Sequence, residues 1–265
     1  MNIKFRKISI GIRGFYVVFF NEIHAFFRNK GMFLSMTLQP ILYFGFMVIG
    51  INASIGGTIY YLGRNIPYSA YAIVGVISLL MTTQMSQAMY RSTVDKQYGL
   101  LALKFLNGIR PGFYILGMST FPALGYLYQS IILLTLGIAS GVIQHMPFLP
   151  FAMIIGLVML IFWTSLGIII STKINNYQRR DIITTLLFTP LAFTAPSFYS
   201  LDHSPRIIQV ISYMNPMTYQ ISALRSIAVG KFNWLYLGIS ISFSVLSVIL
   251  AVMILDRMEL TFSER

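Results

Sequence analysis

The chain has 265 residues, 56% hydrophobic and only 10% charged, with a mean hydropathy of +0.73. A soluble domain carries about 25% charged residues, so this composition excludes a soluble enzyme, a secreted disulfide scaffold and a disordered chain. The net charge of +12 would suit nucleic acid if the cations shared one solvated face; they are instead separated by long apolar runs, as in loops facing an anionic leaflet, and no nucleic-acid partner is expected.

In chain order, residues 11–30 come first, too short and too polar to cross a bilayer. Ile12, Phe15, Tyr16, Phe19, Ile23, Phe26 and Phe27 recur at helical spacing, with Arg13, Asn21, His24 and Arg28 mainly opposite. This predicts an amphipathic helix lying in the membrane interface. A signal peptide fits less well, because no small-residue cleavage site follows and Asn21-Glu22 interrupts the apolar core. Runs without Asp, Glu, Lys or Arg then mark the crossings: 31–63, 65–90, a 111–172 run long enough for two, 182–201 and 232–255. The break in the long run falls at 141–150, where Gly, two prolines and polar residues signal a turn. Gly137 and Gly141 form a GxxxG pair that suits helix packing.

The expected fold is all-α with six crossings. Placing both termini on one side leaves only Arg64, Arg206, Arg225 and Lys231 of the 19 basic residues on the other. That asymmetry puts both termini in the cytoplasm. Residues 1–265 read as a single membrane domain with an interfacial helix at 11–30, a cytoplasmic loop at 91–110 and an outer segment at 199–230.

The chemistry is sparse. None of the seven acids and none of the three histidines falls within a predicted crossing, which argues against a proton-driven carrier; a sodium-driven carrier or a channel stays open. GxSx strings at 117–120 and 238–241 have no membrane His or Lys to act as base, which argues against a membrane enzyme. Without cysteine, and with His145 and His203 far apart in sequence, no metal site is expected. No GxxxxGK[ST] phosphate loop is present, so any energy from ATP has to arrive from another polypeptide.

Two stretches look like working parts. In the 91–110 loop, Val94, Tyr98, Leu101 and Phe105 fall on one face of a short helix, with Arg91, Asp95, Lys96 and Lys104 around it. Such a ridge either docks into a partner's groove or packs under the bundle. The second stretch, 189–230, holds Pro190, Pro196, Pro205 and Pro216 between apolar pieces at 207–214 and 217–229 that are too short to cross. It reads as a pair of short re-entrant helices on the outer side, or as an outer loop with a surface helix.

Together these parts resemble the permease subunits of type-2 ATP-binding-cassette exporters. The likeness rests on the lead-in at 11–30, Gln39-Pro40, and the loop Asp95-Lys96-Gln97-Tyr98-Gly99-Leu100-Leu101. It also rests on Phe198-Tyr199, Pro205, Asn215-Pro216-Met217-Thr218-Tyr219 and Leu224-Arg225, with Met217 in place of the family's usual Leu. Phe198, Asn215, Pro216, Tyr219 and Arg225 thus form the outer re-entrant motif. Arg110 precedes Pro111, whereas the family often shows the reverse order.

The resemblance implies a multi-pass protein of the bacterial plasma (inner) membrane. It would work as a dimer, with a second copy or a similar permease, on two cytoplasmic ATPase subunits. ATP and Mg would sit on those partners, with no cofactor on this chain. ATPase closure would push on Tyr98, Leu101 and Phe105, with Asp95 in the same loop. The second and fifth crossings would line the path, where this sequence offers Thr82, Gln84 and Gln87, and Thr185, Phe188 and Phe193. Hydrogen bonding between helices is the competing role for the polar members. A drug-like, lipid or other hydrophobic substrate is expected, with a lipid-linked polysaccharide as the alternative.

Overall fold

A computed structural model describes residues 9–258 apart from Asn175 and His203. Expectations for Lys4, Arg6, Lys7, Arg265, Glu259, Glu264 and His203 lie outside the described residues, as does the Arg64 side chain. Helix α1 (Ile12–Arg28) turns at Asn29 into α2 (Lys30–Leu42), which continues through a π-helical stretch, Tyr43–Gly50, into α3 (Ile51–Ile55). Pro40 lies inside α2 and cannot donate to the helical ladder, and the wider turns follow directly after it. Strands β1 (Thr58–Tyr61) and β2 (Arg64–Pro67) then pair antiparallel around Leu62 and Gly63, both at positive φ. The uncharged run 31–63 thus holds a helical crossing and the first strand of this hairpin.

Helix α4 (Tyr68–Gln97) is followed by α5 (Leu100–Leu106), α6 (Pro111–Met118) and α7 (Thr120–Ala139). Next come α8 (Leu149–Ser171), α9 (Tyr177–Thr194), α10 (Arg206–Met214), α11 (Pro216–Ala228) and α12 (Trp234–Asp256). Side chains of Asn176, Asn215 and Asn233 accept from backbone N–H groups at the starts of α9, α11 and α12, satisfying donors that a helix N-terminus leaves open. Gly141, at φ 74°, ends α7. It therefore serves a turn, while Gly137 of the expected packing pair lies close against the side chains of Ile73 and Ile143.

Among the described residues, five helical stretches are long and apolar enough to cross a membrane: Lys30–Ser54, Tyr68–Gln97, Pro111–Ala139, Leu149–Ser171 and Trp234–Asp256. Helix α9 is shorter and less apolar, with Arg179, Arg180 and Asp181 near its start and four threonines beyond. It nonetheless runs from a contact with Tyr90 at one end of α4 to contacts with Ser212 and Asn215 at the other end of the bundle.

The core forms around α4, whose residues 68–82 are all buried. Close approach is built from glycine: a Cβ on Gly167 of α8 would stand 2.5 Å from the Met85 carbonyl oxygen, and one on Gly75 would overlap the carbonyl oxygen of Ser197. The first and last described segments meet at the α5 end. Ile10 N–H donates to Gly108 O (3.2 Å), and Leu255 packs with Leu101 and Phe105.

Gly75→Ala should lower the stability of the detergent-solubilised protein by about 1–3 kcal/mol. Gly238→Ala, which meets nothing within 4 Å, should leave it unchanged. Thermal unfolding of the two variants side by side checks this.

Candidate functional site

At the α5 end, two ion pairs tie three helices together. Glu22 of α1 is buried at 1% exposure and takes a two-pronged contact from Arg91 of α4, at 2.8 Å from Nε and 2.7 Å from the second guanidinium nitrogen. Burial holds the Glu22 carboxyl above its ordinary pKa, with the Arg91 hydrogen bond and charge pulling the other way. Arg91 also lies 5.0 Å over the Phe121 ring. One helical turn further along α4, Asp95 accepts from Lys104 of α5 (2.5 Å) and from the Tyr114 hydroxyl of α6 (2.9 Å). Lys96 points the other way and donates to the carbonyls of Thr172 and Ile174, closing the end of α8.

Helix α5 hangs on this frame by its inner face. Gly99, at φ 69°, breaks the helical phase between Tyr98 and Leu101, so the expected ridge is not one face. Leu101 and Phe105 are buried with Val18, Tyr114, Ile115 and Leu255, packing under the bundle, whereas Tyr98 is 71% exposed beside Leu100 and Leu103. Helix α1 keeps most of its expected apolar face at least partly exposed, as a helix in the membrane interface requires, and packs on the bundle by another side. Gly14, Val18, Glu22 and Phe26 turn inward, Val18 lying against Gly117 of α6, while Ile12, Tyr16, Phe20 and Phe27 stay exposed.

Between α4 and α9 lies a cleft of about 570 Å³, bordered by Ser86, Gln87, Tyr90, Arg180, Asp181, Thr184 and Thr185, and by Asn29 and Met32 from the α1–α2 elbow. Arg180 pairs with Asp181 at 2.5 Å and covers the Tyr90 ring at 4.8 Å. Deeper in, a smaller space of about 90 Å³ is lined by Thr82, Thr83, Met85, Ser86, Thr184 and Phe188. The hydroxyls of Thr82, Thr83, Ser86 and Thr184 donate back to carbonyls three or four residues earlier in their own helices. Such bonding lets a hydroxyl sit in an apolar bundle at little cost and leaves its lone pairs for a passing donor.

Among the residues expected on the path, Gln87 and Thr185 border the cleft, and Thr82 and Phe188 the space beneath it. Gln84 instead turns inward and donates to Gln129 (2.9 Å), which donates in turn to Gln39 (3.2 Å). Phe193, 79% exposed, stands at the far end of α9 by a separate apolar hollow.

At that far end, the outer motif works as a clamp. Asn215 caps α11 with its oxygen, and its nitrogen donates to the Leu191 carbonyl (2.8 Å) and the Thr194 hydroxyl (2.9 Å) of α9. Pro216 opens α11, and Tyr219 donates to the Tyr213 carbonyl. The Phe198 carbonyl accepts from Tyr68. Arg225 is 2% exposed and meets no carboxylate among the described residues: its guanidinium lies 3.4 Å from the Tyr71 ring centroid and donates to the carbonyls of Tyr71, Pro196 and Ser197. Sequence reasoning missed the pairing of Glu22 with Arg91 and of Asp95 with Lys104. The available signal was one acid at position 22, in step with the small and apolar residues 14, 18 and 26. Among the described residues no three of His, Asp and Glu gather to hold a metal.

A helical membrane protein with a polar, mostly uncharged cleft between two helices, and with a helix packed across one end of the bundle, has the build of a membrane permease. A family model described as ABC-2 type transporter matches residues 13–229, and the chain belongs to that family. It is a transport permease and not a catalytic enzyme. The chain is also 23% identical over 200 residues to Nodulation protein J of Rhizobium leguminosarum bv. trifolii, covering 74% of each protein.

Glu22→Gln and Arg91→Met should each lower thermal stability by about 1–3 kcal/mol, since each strands a largely buried partner. The double variant should lose less than the sum. A double-mutant cycle of unfolding midpoints in nanodiscs reads this directly.

Proposed function

We propose that the chain forms one half of the translocation path of an ATP-binding-cassette exporter in the bacterial plasma membrane. It would pair with a second copy or a similar permease, on two ATPase subunits that hold ATP and Mg. The α5 end faces the cytoplasm, and α9 counts as the fifth of six crossings; the charge asymmetry and the meeting of the first and last described segments at α5 support that orientation.

The observation that carries the reading is the two-sidedness of α5. Its inner face is locked by Leu101, Phe105 and the Lys104–Asp95 pair, while Tyr98, Leu100 and Leu103 offer an apolar outer face. A surface helix held this firmly passes a push on to α4 instead of absorbing it. Helix α4 forms one wall of the cleft with α9, so movement of α4 against α9 would open or close it. The cleft's hydroxyls and amides, with Met32 and Phe188 nearby, suit an amphipathic or hydrophobic cargo over a strongly charged one.

Tyr98→Asp combined with Leu103→Asp should abolish cargo-stimulated ATP hydrolysis by the assembled complex while membrane insertion and thermal stability stay as in the parent protein. Phe105→Asp should instead reduce the amount of folded protein, because it buries a charge with no partner. Normal stimulated hydrolysis in the Tyr98/Leu103 variant would overturn the coupling role of α5.

A further inference from the structure

At the end of the bundle remote from α5, a further cavity of about 400 Å³ opens between the β1–β2 hairpin, residues 196–202, α10, α11 and the start of α12. This volume lies in the lower part of the ~300–1,000 Å³ range of small-molecule sites. Six tyrosines border it, together with Asp202 and Asn233. Its rim is open, with Tyr60 at 70% and Tyr213 at 50% exposure and Asp202 exposed. The hydroxyls of Tyr60, Tyr213 and Tyr236 have no hydrogen-bond partner among the described residues. Asp202 accepts only from Ser200 among them, through one oxygen, at 3.2 Å. Asn233 accepts from the Tyr236 N–H with its side-chain oxygen, which leaves its NH₂ able to donate.

We propose that this tyrosine-lined cavity is a binding site for a neutral saccharide. A sugar ring has apolar C–H faces and a rim of hydroxyls. Tyrosine presents a matching combination, an aromatic face and a polar edge, while a carboxylate and an amide beside the rings can exchange hydrogen bonds with neighbouring hydroxyls.

Charge selects against the other ligands that such a cage could take. Among the described residues the buried Arg225 guanidinium in the wall meets no acid, and Lys231, though not itself in the lining, bonds the carbonyl of Leu62, which is. With these two described cations near one carboxylate, an organic cation is disfavoured despite the aromatic surroundings. An anion fares no better, because all three Arg225 nitrogens already face carbonyl oxygens and Asp202 stands at the mouth. The site lies within one copy of the chain and needs no ATPase, so it stands or falls separately from the transport reading.

The test is equilibrium binding to the purified permease in nanodiscs, prepared without glycoside detergent, with maltose, choline and inorganic phosphate as separate probes. Maltose should bind saturably in about the millimolar range. Asp202→Asn and Tyr213→Ala should each weaken it about tenfold, the effect of losing one charge-assisted hydrogen bond or one stacking face. Asp202 is exposed, so its substitution leaves the fold intact even if the Tyr213 variant expresses poorly. Absence of saturable maltose binding would overturn the proposal, as would binding of choline or phosphate in its place. Undiminished maltose binding by the Asp202 variant would overturn it equally.

Discussion

Every charge or polar group drawn into an apolar bundle has to find a protein partner, because no water is there to meet it. That constraint organises both ends of this protein. At one end Glu22 meets Arg91, and Asp95 meets Lys104 and Tyr114, so the distant α1 and the two helices that follow α4 are fixed on it. At the other, Arg225 has no acid among the described residues and is satisfied by three backbone carbonyls, which pins the 196–197 turn against α4 where Gly75 leaves room for it. Between the ends many of the polar groups are hydroxyls and amides that bond within or between helices.

This division of labour fits a protein that moves cargo and does no chemistry of its own. Charges stay at the ends, where they hold shape, and the cleft between α4 and α9 keeps a mostly uncharged lining with one ion pair at its edge. The π-helical stretch after Pro40 leaves the first spanning segment less regular than α4 or α8. The rigid partner in the cleft is thus α4, buried over much of its length, and α9 is the more exposed and more loosely packed wall.

Much of this was legible in the sequence, because hydropathy and charge spacing are read on the scale of whole helices. The uncharged runs located α4, α8 and α12 to within a few residues of their membrane portions, and the short pieces at 207–214 and 217–229 coincide with α10 and α11. Asn215 before Pro216 announced a helix start, and both residues act that way. What was not legible depends on phase and partner. Gly99 rotates α5 relative to α4, so a spacing of four, three and four across it no longer marks one face. The aromatic side of α1 is its exposed side, and the face on the bundle is built from a glycine, a valine, a paired glutamate and a single phenylalanine, which hydropathy alone ranks lower. The hairpin was hidden because Thr58–Tyr61 lies within an uncharged run, where counting charges does not register β-prone residues.

The central claim is that α1, α4 and α5 move as one block against α9. The chain has no cysteine, so spin-label pairs can be introduced without background. In the proposed complex with an ATPase, the distance between labels at Ile12→Cys and Leu103→Cys should be the same with and without bound nucleotide, while that between Gln87→Cys and Thr185→Cys should change. A nucleotide-dependent change in the first pair with none in the second would contradict the account.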